Sequence, residues 1–265
     1  MNTTSFENEL RKENYAENTI VAYKYAVRDF FHRFKAIGKE ALLQYRTYLI
    51  ENHKPKTVNL RVRGINKYLD FIERPDLKIK MVKIPKSSFL DNTVSNEDYE
   101  YFKGNLREED DLRWYYIVWT LTVTGARISE LVQMKVEHVI DGFYDIFSKG
   151  GRIRRIYLPP LLRSELLAWC GRQSGYLFIN RFGSPLTPRG IAQQLKELAT
   201  KYGMNPAVIH PHSFRHLFAI NFLTRRNDLV LLADLLGHES VDTTRIYLQR
   251  SSRDQKKLIE QVVDW

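Results

Sequence analysis

Apolar residues recur at helical spacing through the first third of the chain, with polar residues between them. In residues 16–35 one stripe of apolar side chains has the spacing of a single helix face. The members of this stripe are Ile20, Tyr23, Val27, Phe30, Phe31 and Phe34. A second helix is predicted over about residues 40–51. A third follows Pro55 and runs to about residue 73, because its apolar positions recur at steps of four and three residues.

Helical patterns continue in the remaining two thirds of the chain. Ser95 precedes a segment with acidic residues in its first turn, which is typical of a helix start. Residues 114–123 are nearly all apolar, as in a central buried helix, and this pattern breaks at Gly125. Further helices are predicted over about 160–170, over 188–202, and twice within 210–250.

One segment departs from the helical period. Residues 139–158 are typical of a strand, a glycine-bearing turn and a second strand. The register of Arg152 and Arg154 in the second strand stays open, because their alternation with apolar residues is incomplete. The fold class that follows is mainly α, with a small antiparallel sheet.

The same patterns predict two domains. A helical domain is expected over residues 1–80, and a mixed α+β domain over residues 95–265. Residues 81–94 are expected to form a basic linker, because the stretch DLKIKMVKIPKSSFLDN is basic, has no helical period and is broken by Pro85.

The charge distribution along the chain indicates a type of binding partner. The chain of 265 residues carries a formal net charge of +10, and residues 1–86 hold 18 Lys and Arg against 10 Asp and Glu. A basic excess concentrated in one module favours a polyanionic partner, although it can also serve solubility alone. The candidate DNA-contacting residues lie off the apolar stripes, where an ordinary solvated face is the alternative. They are Lys24, Arg28, Lys56, Asn59, Arg63 and Lys67.

Cysteine content and hydropathy exclude several classes of protein. Cys170 is the single cysteine, so the chain has neither an internal disulfide nor a cysteine-rich zinc site, and we expect a small buried apolar side chain. The N-terminal residues lack the order of a signal peptide, and no apolar run approaches the length of a membrane span. We therefore expect a reducing, cytoplasmic setting and no membrane partner.

Residues 210–250 carry the candidate chemistry. His212 and Arg215 are spaced i and i+3, so a helix would place both on one side. His238 follows Gly237, a typical helix end, and Tyr247 lies nine residues further on. An arginine, two imidazoles and a phenol at these positions could bind a phosphate and attack it.

Two further cations have open interpretations. Arg127 lies where a buried helix meets a turn, and either Glu130 or an anionic substrate could pair with it. Lys149 lies at the predicted hairpin tip, where a lysine by itself is usually a solvent-facing residue.

Four segments together resemble the tyrosine recombinase (phage integrase) family. They are TGARISEL, SKGGRIR, HPHSFRH and LLGHESVDTTRIY, and their order along the chain is that of the family. More loosely, NTIVAYKYAVRDFF resembles the helical core-binding domain of the family. The resemblance implies an enzyme that cuts and rejoins DNA without a metal or nucleotide cofactor.

The resemblance also implies roles for individual residues. Arg127 and Arg215 match the two catalytic arginines, and Lys149 matches the hairpin lysine, which reverses its local interpretation. His212 and His238 match the two histidine-type positions, and Tyr247 matches the nucleophile. By chemistry, His212 could accept the proton of the phenol and Lys149 could protonate the leaving oxygen. His210 and His216 are expected to be structural or to contact backbone.

Two positions depart from the family pattern. Arg226 and Asn227 stand where the family often has a glycine, and Asn227 is expected to adopt the left-handed conformation in its place. Glu239 stands where a small polar residue is frequent. Neither position removes a predicted catalytic group.

The resemblance finally implies an assembly. It predicts a 3′-phosphotyrosine intermediate and a Holliday junction formed by a nucleoid-associated homotetramer on inverted-repeat core sites of double-stranded DNA. The amphipathic tail after Tyr247 would pack on a neighbouring protomer, or fold back on its own domain. The length favours a simple Xer-like or invertase-like member. The alternatives are a type IB topoisomerase-like enzyme and a DNA-binding protein whose site is not used for catalysis.

Overall fold

The computed structural model describes residues 3–84, 93–147, 153–238, 240–248, 259–260 and 263. Four predictions fall outside the described residues wholly or in large part: the hairpin lysine Lys149, the departure at Glu239, the C-terminal tail and the centre of the linker. The chain divides into two compact units, Met1–Lys86 and Ser87–Trp265. The point of division falls within the segment predicted as a linker.

The described residues of the N-terminal unit form a bundle of four α-helices. They are α1 (Thr3–Lys12), α2 (Glu17–Arg33), α3 (Lys39–Asn52) and α4 (Pro55–Phe71). The apolar stripes predicted from the sequence meet in its core, where Val27, Phe30 and Val62 are fully buried. Helix α1 was not predicted, because only Phe6 and Leu10 of its ten residues are buried and they form too short a periodic pattern.

Two asparagines of α4 bind the chain that follows the bundle. The Asn66 side chain donates to Ile79 O and accepts from Ile79 N, at 2.9 and 3.0 Å. The Asn59 side chain exchanges the same pair of hydrogen bonds with Val82, at 2.9 and 2.8 Å. Ile79 is buried in the bundle core. The first residues of the predicted linker are thus fastened to the N-terminal unit.

In its described residues, the C-terminal unit is mainly helical and contains a two-stranded sheet. Its helices are α5 (Asn96–Glu108), α6 (Leu112–Thr124), α7 (Ile128–Leu131), α8 (Val136–Asp141), α9 (Pro160–Cys170), α10 (Pro188–Lys201), α11 (Pro211–Arg226), α12 (Leu229–Leu236) and α13 (Val241–Thr244). Helix α6 lies at the centre, as its apolar sequence predicts, and it packs on α11. None of the described helices has the length and apolar character needed to cross a membrane.

The sheet consists of β1 (Phe143–Phe147) and β2 (Ile153–Tyr157), paired antiparallel with Asp145 opposite Arg155. The predicted first strand began too early. Residues 139–141 instead complete α8, which ends at Gly142 in a left-handed conformation (φ +84°). Val139 is buried as a helical residue, so core packing overrides its strand propensity.

The predicted helix ends are confirmed. Gly125 after α6 and Gly237 after α12 both have φ of +62°, and Asn227 after α11 has φ of +40°. The Gly125 position also needs a glycine for space, because an added Cβ would lie 2.5 Å from the Phe218 ring. Asparagine at 227 therefore fills the place of the family glycine, as the sequence predicts.

Candidate active site

Three guanidinium groups converge on the C-terminal end of α12. Arg154 Nε donates to Leu235 O at 2.7 Å, and Arg215 Nη2 donates to Leu236 O at 2.6 Å. Arg127 Nη2 donates to Gly237 O at 3.1 Å. The last carbonyls of a helix lack intrahelical partners and carry partial negative charge, so they suit cationic donors. The arginines come from β2, α11 and the start of α7.

The carbonyl of Gly125 joins two of these arginines. It accepts from Arg215 Nη1 at 2.6 Å and from Arg154 Nη2 at 3.4 Å. This carbonyl points into the cluster because the left-handed Gly125 ends α6 at that place.

Glu130 supplies the negative charge of the cluster. Its carboxylate accepts from Arg127 Nη1 at 2.9 Å and from the Arg127 backbone N–H at 2.6 Å. Arg154 Nη1 contacts both of its oxygens, at 2.6 and 2.7 Å. Burial alone would raise the pKa of Glu130, but the charge of Arg154 and the Arg127 backbone hydrogen bond hold it below its ordinary value.

The structure confirms the pairing of Arg127 with Glu130, and the binding of an anionic substrate by Arg127 stays a prediction. Arg127 pairs with Glu130 through Nη1, yet 41% of its side chain stays exposed. Three guanidinium groups face a single carboxylate among the described residues of the cluster, which leaves an excess of positive charge. The cluster is therefore suited to bind an anion.

Arg215 is the most buried of the three arginines, at 1% exposure. Burial, with the charges of Arg127 and Arg154, lowers its pKa to about 10. The guanidinium therefore stays charged at neutral pH, and a phosphate beside it would relieve the mutual repulsion of the arginines.

His238 is held from both ring nitrogens. Nε2 lies 3.2 Å from Arg215 Nη2, and Nδ1 lies 2.8 Å from Thr244 Oγ1. Because a guanidinium only donates, Nε2 must accept, and we assign the proton to Nδ1, which donates to Thr244. Burial, followed by the charge of Arg215, lowers the pKa of His238 to about 4, which is consistent with this neutral tautomer.

Tyr247 lies on a single 3₁₀ turn, Arg245–Leu248, directly after α13. It is 5% exposed and packs beside the ring of His238, with centroids 6.2 Å apart. Burial raises the pKa of the Tyr247 phenol, while the positive charges of Arg215 and Arg127 oppose that shift. The phenol is thus neutral and next to the cationic cluster.

The histidines of α11 divide into two kinds. His210 Nδ1 accepts from the Ser213 backbone N–H at 3.1 Å, so it caps the helix, a structural place of the kind the sequence predicts. His212 is exposed in the first turn, and its ring lies 4.6 Å from the ring of His216. The ring of His216 lies 5.1 Å from that of Tyr247.

His216, which was expected to be structural or to contact backbone, makes ring contacts with both His212 and Tyr247. Its Nδ1 is buried and has no hydrogen-bond partner in the described part of the chain. Burial, with the neighbouring His212, lowers the pKa of His216 to about 4. Partial desolvation of the His212 ring, followed by the charge of Arg215, also lowers the pKa of His212.

Of the six predicted catalytic residues, five meet in this site and Lys149 lies outside the described residues. Arg154 was missed as a site residue. The signal that could have found it is an arginine on the inward face of a strand, since β2 alternates exposed and buried residues and Arg154 shares its buried face with Ile156. That signal depends on the strand register, which the sequence left open.

The predicted DNA-contacting residues lie on the N-terminal unit in three environments. Arg28, Lys56 and Arg63 are exposed. Lys24 pairs with Glu7, and Lys67 pairs with Glu13 at 2.6 Å. Asn59 is buried with its amide committed to Val82. The DNA-contacting role of all six stays a prediction.

No metal cluster accompanies these groups. Across residues 3–84, 93–147, 153–238 and the short described segments beyond, no set of three or more His, Cys, Asp or Glu side chains is placed to hold an ion.

Comparison with known proteins identifies the family. The profile of the phage integrase family matches residues 93–253. The chain is 29% identical to the tyrosine recombinase XerA of Pyrococcus furiosus, over 96% of this chain and 91% of that protein. It is 30% identical to the tyrosine recombinase XerC of Bacillus licheniformis, over 89% of this chain and 87% of that protein.

Solved structures share the fold at lower identity. XerH recombinase bound to its difH substrate superposes with a TM-score of 0.69 at 20% identity, over 98% of this chain and 84% of that one. A lambda integrase dimer bound to a core site superposes with a TM-score of 0.73 at 15% identity, over 94% and 95%. With the family profile covering more than half of its length, the chain belongs to the phage integrase family and is a tyrosine site-specific recombinase.

Proposed function

We propose that this recombinase cuts and rejoins duplex DNA through a covalent 3′-phosphotyrosine on Tyr247. The observation that carries the proposal is the position of Tyr247 beside His238, whose Nε2 accepts from Arg215 in the three-arginine cluster. A phosphate at this cluster would lie within reach of a nucleophilic phenol. Phosphoryl transfer needs little more than such positioning and charge stabilisation.

Arg127 and Arg215 would bind the non-bridging oxygens of the scissile phosphate. Both guanidiniums are planar, permanently charged donors whose orientation is fixed by Glu130 or by backbone carbonyls. Negative charge grows on those oxygens in the transition state, so these donors stabilise it more than the ground state. His238 adds a hydrogen bond to the same oxygens once its tautomer changes or it is protonated beside the anion.

Two further groups accept and donate the protons that move in the cleavage step. The Tyr247 oxygen forms a bond to phosphorus, and its proton passes to His212, which is neutral because its pKa is lowered. The ring of His216 contacts the rings of both residues. The bond from phosphorus to the 5′ oxygen breaks, and Lys149 protonates that oxygen. Religation reverses these steps with a 5′-hydroxyl from another strand, so no nucleotide cofactor is consumed.

The proposed function also includes an assembly of several protomers on DNA. The N-terminal unit contacts DNA through its exposed cations Arg28, Lys56 and Arg63, and the C-terminal unit holds the scissile phosphate. Four protomers on two inverted-repeat core sites exchange strands through a Holliday junction, in the cytoplasm and on the nucleoid. The solved XerH complex, whose substrate is difH, supports a DNA partner.

Covalent trapping tests this function. The DNA would be an inverted repeat selected by binding from the genomic DNA of the host, nicked so that cleavage releases a short strand and cannot be reversed. We expect a protein–DNA adduct that survives denaturation in the wild type and is absent in Tyr247→Phe, with both proteins binding the site equally. Binding without any adduct would leave a DNA-binding protein that does not use its site for catalysis.

A second assay separates recombination from relaxation. On a plasmid with two selected sites, a recombinase yields recombinant junctions and a tetrameric complex. A type IB topoisomerase-like enzyme would relax supercoils at scattered positions and yield neither product.

A further inference from the structure

Arg154 is a buried cation that the proposed chemistry does not use. Only 7% of the residue is exposed, and its Nε, Nη1 and Nη2 are all engaged within the chain. Its guanidinium contacts three groups of its own chain: the Glu130 carboxylate and the carbonyls of Leu235 and Gly125.

Each of these three groups is linked to a residue that faces the phosphate site. Glu130 also holds Arg127 through its side chain and its backbone N–H. The Gly125 carbonyl also accepts from Arg215, whose second acceptor, Leu236 O, is the neighbour of Leu235 O. Arg154 is therefore the one guanidinium of the described cluster that bonds to the supports of both other arginines.

The stem of Arg154 also lies against the turn that carries His238. A Cβ built on Gly237 would fall inside van der Waals distance of Arg154 Cδ, so the side chain and the turn are in close contact. The turn directly precedes His238, whose ring binds Arg215. The position of the imidazole thus depends on how Arg154 fills this space.

A lysine cannot reproduce these contacts. A single ammonium has one nitrogen, whereas Arg154 uses Nε, Nη1 and Nη2 toward three different acceptors. Buried ion pairs contribute little net stability when compared with apolar replacements, so stability alone does not account for Arg154. Its contacts are with the supports of Arg127 and Arg215 and with the His238 turn.

We infer that Arg154 is a positioning residue for the scissile phosphate site: without touching DNA, it sets the placement of Arg127, Arg215 and His238. The inference rests on the proposed function of the site. It predicts that changes at Arg154 slow the chemical step and leave DNA binding unchanged.

The variants are Arg154→Lys, which keeps the charge, and Arg154→Gln, which removes it. The matched control is Arg155→Gln, on the same strand, where Arg155 instead pairs with Asp145 on the exposed face. Covalent adduct formation is measured in single turnover at saturating nicked DNA, with the dissociation constant for DNA and the melting temperature measured on the same preparations. We expect both Arg154 variants to slow adduct formation by about 100-fold, the effect typical of losing one aligned oxyanion donor, with the Arg155 variant unchanged.

A second substrate distinguishes a positioning role of Arg154 from a nonspecific loss of activity in its variants. Replacing one non-bridging oxygen of the scissile phosphate by methyl removes the charge that the arginines stabilise. If Arg154 acts by aligning the guanidiniums, its variants lose most of their rate on the phosphodiester and little on the neutral methylphosphonate. An equal loss on both substrates, or no loss on either, would overturn the inference. Failure of the wild type to form an adduct would instead overturn the proposed function.

Discussion

The ring of His238 lies nearly parallel to the ring of Tyr247, with an interplanar angle of 10° and centroids 6.2 Å apart. His238 is itself fixed between Arg215 and Thr244. The candidate nucleophile therefore rests against a side chain whose orientation is set by one arginine of the cluster and by a buried hydroxyl.

The Thr244 hydroxyl provides a first prediction. Thr244→Val keeps the shape of the buried side chain but removes the acceptor of His238 Nδ1–H, so we expect a stability loss of about 1–3 kcal/mol for the unsatisfied donor. Adduct formation should slow by roughly tenfold, because the imidazole loses its orientation. Thr244→Ser keeps the hydroxyl and should retain most of the rate. The exposed neighbour Thr243 gives the control Thr243→Val; an equal loss there would contradict the role of the hydrogen bond.

Acid should destabilise the C-terminal unit in a defined window. The pKa values of His216 and His238 are lowered to about 4 in the fold, against 6.5 for an ordinary histidine. The unfolded chain therefore takes up protons first, so the stability these groups contribute is complete above about pH 6.5 and is lost as pH falls toward 4.

The measurement is urea unfolding across this pH range, followed by tryptophan fluorescence. All four tryptophans lie in the C-terminal unit, so the signal reports that unit alone. His216→Gln should flatten the dependence on pH, whereas His32→Gln, on the N-terminal unit, should keep the wild-type slope. Identical slopes for the His216 variant and the wild type would refute the assignment.

Glu130 should be needed for stability as well as for reactivity. Glu130→Gln leaves the buried Arg154 without its carboxylate, and breaking a buried ion pair in this way costs about 3–5 kcal/mol. The comparison is Asp145→Asn, which breaks the exposed pair with Arg155 and should cost less than about 1 kcal/mol. Chemical unfolding of both variants measures the difference, and equal costs would show that Glu130 is not the charge partner on which the cluster depends.

We expect the contact with Arg154, and not the left-handed backbone alone, to prevent replacement of Gly237 by a larger residue. Gly237 and Gly171 have nearly the same left-handed backbone, with φ of +62° and +59°. An added Cβ at Gly237 would press on Arg154, whereas no described atom lies within 4 Å of one at Gly171. Gly171→Ala should therefore cost about 1 kcal/mol of backbone strain and leave adduct formation unchanged. Gly237→Ala should lose reactivity in addition; adduct formation at the wild-type rate would show that the close contact has no functional consequence.

The predictions from sequence succeed where the signal is local. Gly125, Asn227 and Gly237 end helices because each adopts a left-handed conformation, which glycine and asparagine adopt at low energetic cost. The family resemblance of the four motifs indicated five residues that the structure brings together, and their catalytic roles stay predictions. Arg154 could not be assigned, because its inward direction depends on a strand register set by tertiary packing. Helix α1 was missed because its two buried residues form too short a pattern, and the helical end at residues 139–141 was missed because core packing decided it.

The most direct measurement is to locate the covalent bond. The adduct formed on nicked DNA would be digested with nuclease and protease, and the modified peptide sequenced by mass spectrometry. The chain has 15 tyrosines, so the position of the nucleotide remnant is informative. We predict a single modified residue, Tyr247, joined to a 3′-phosphate, with no modified peptide from Tyr247→Phe. A remnant on any other residue, or a bond to a 5′-phosphate, would contradict the account of this site.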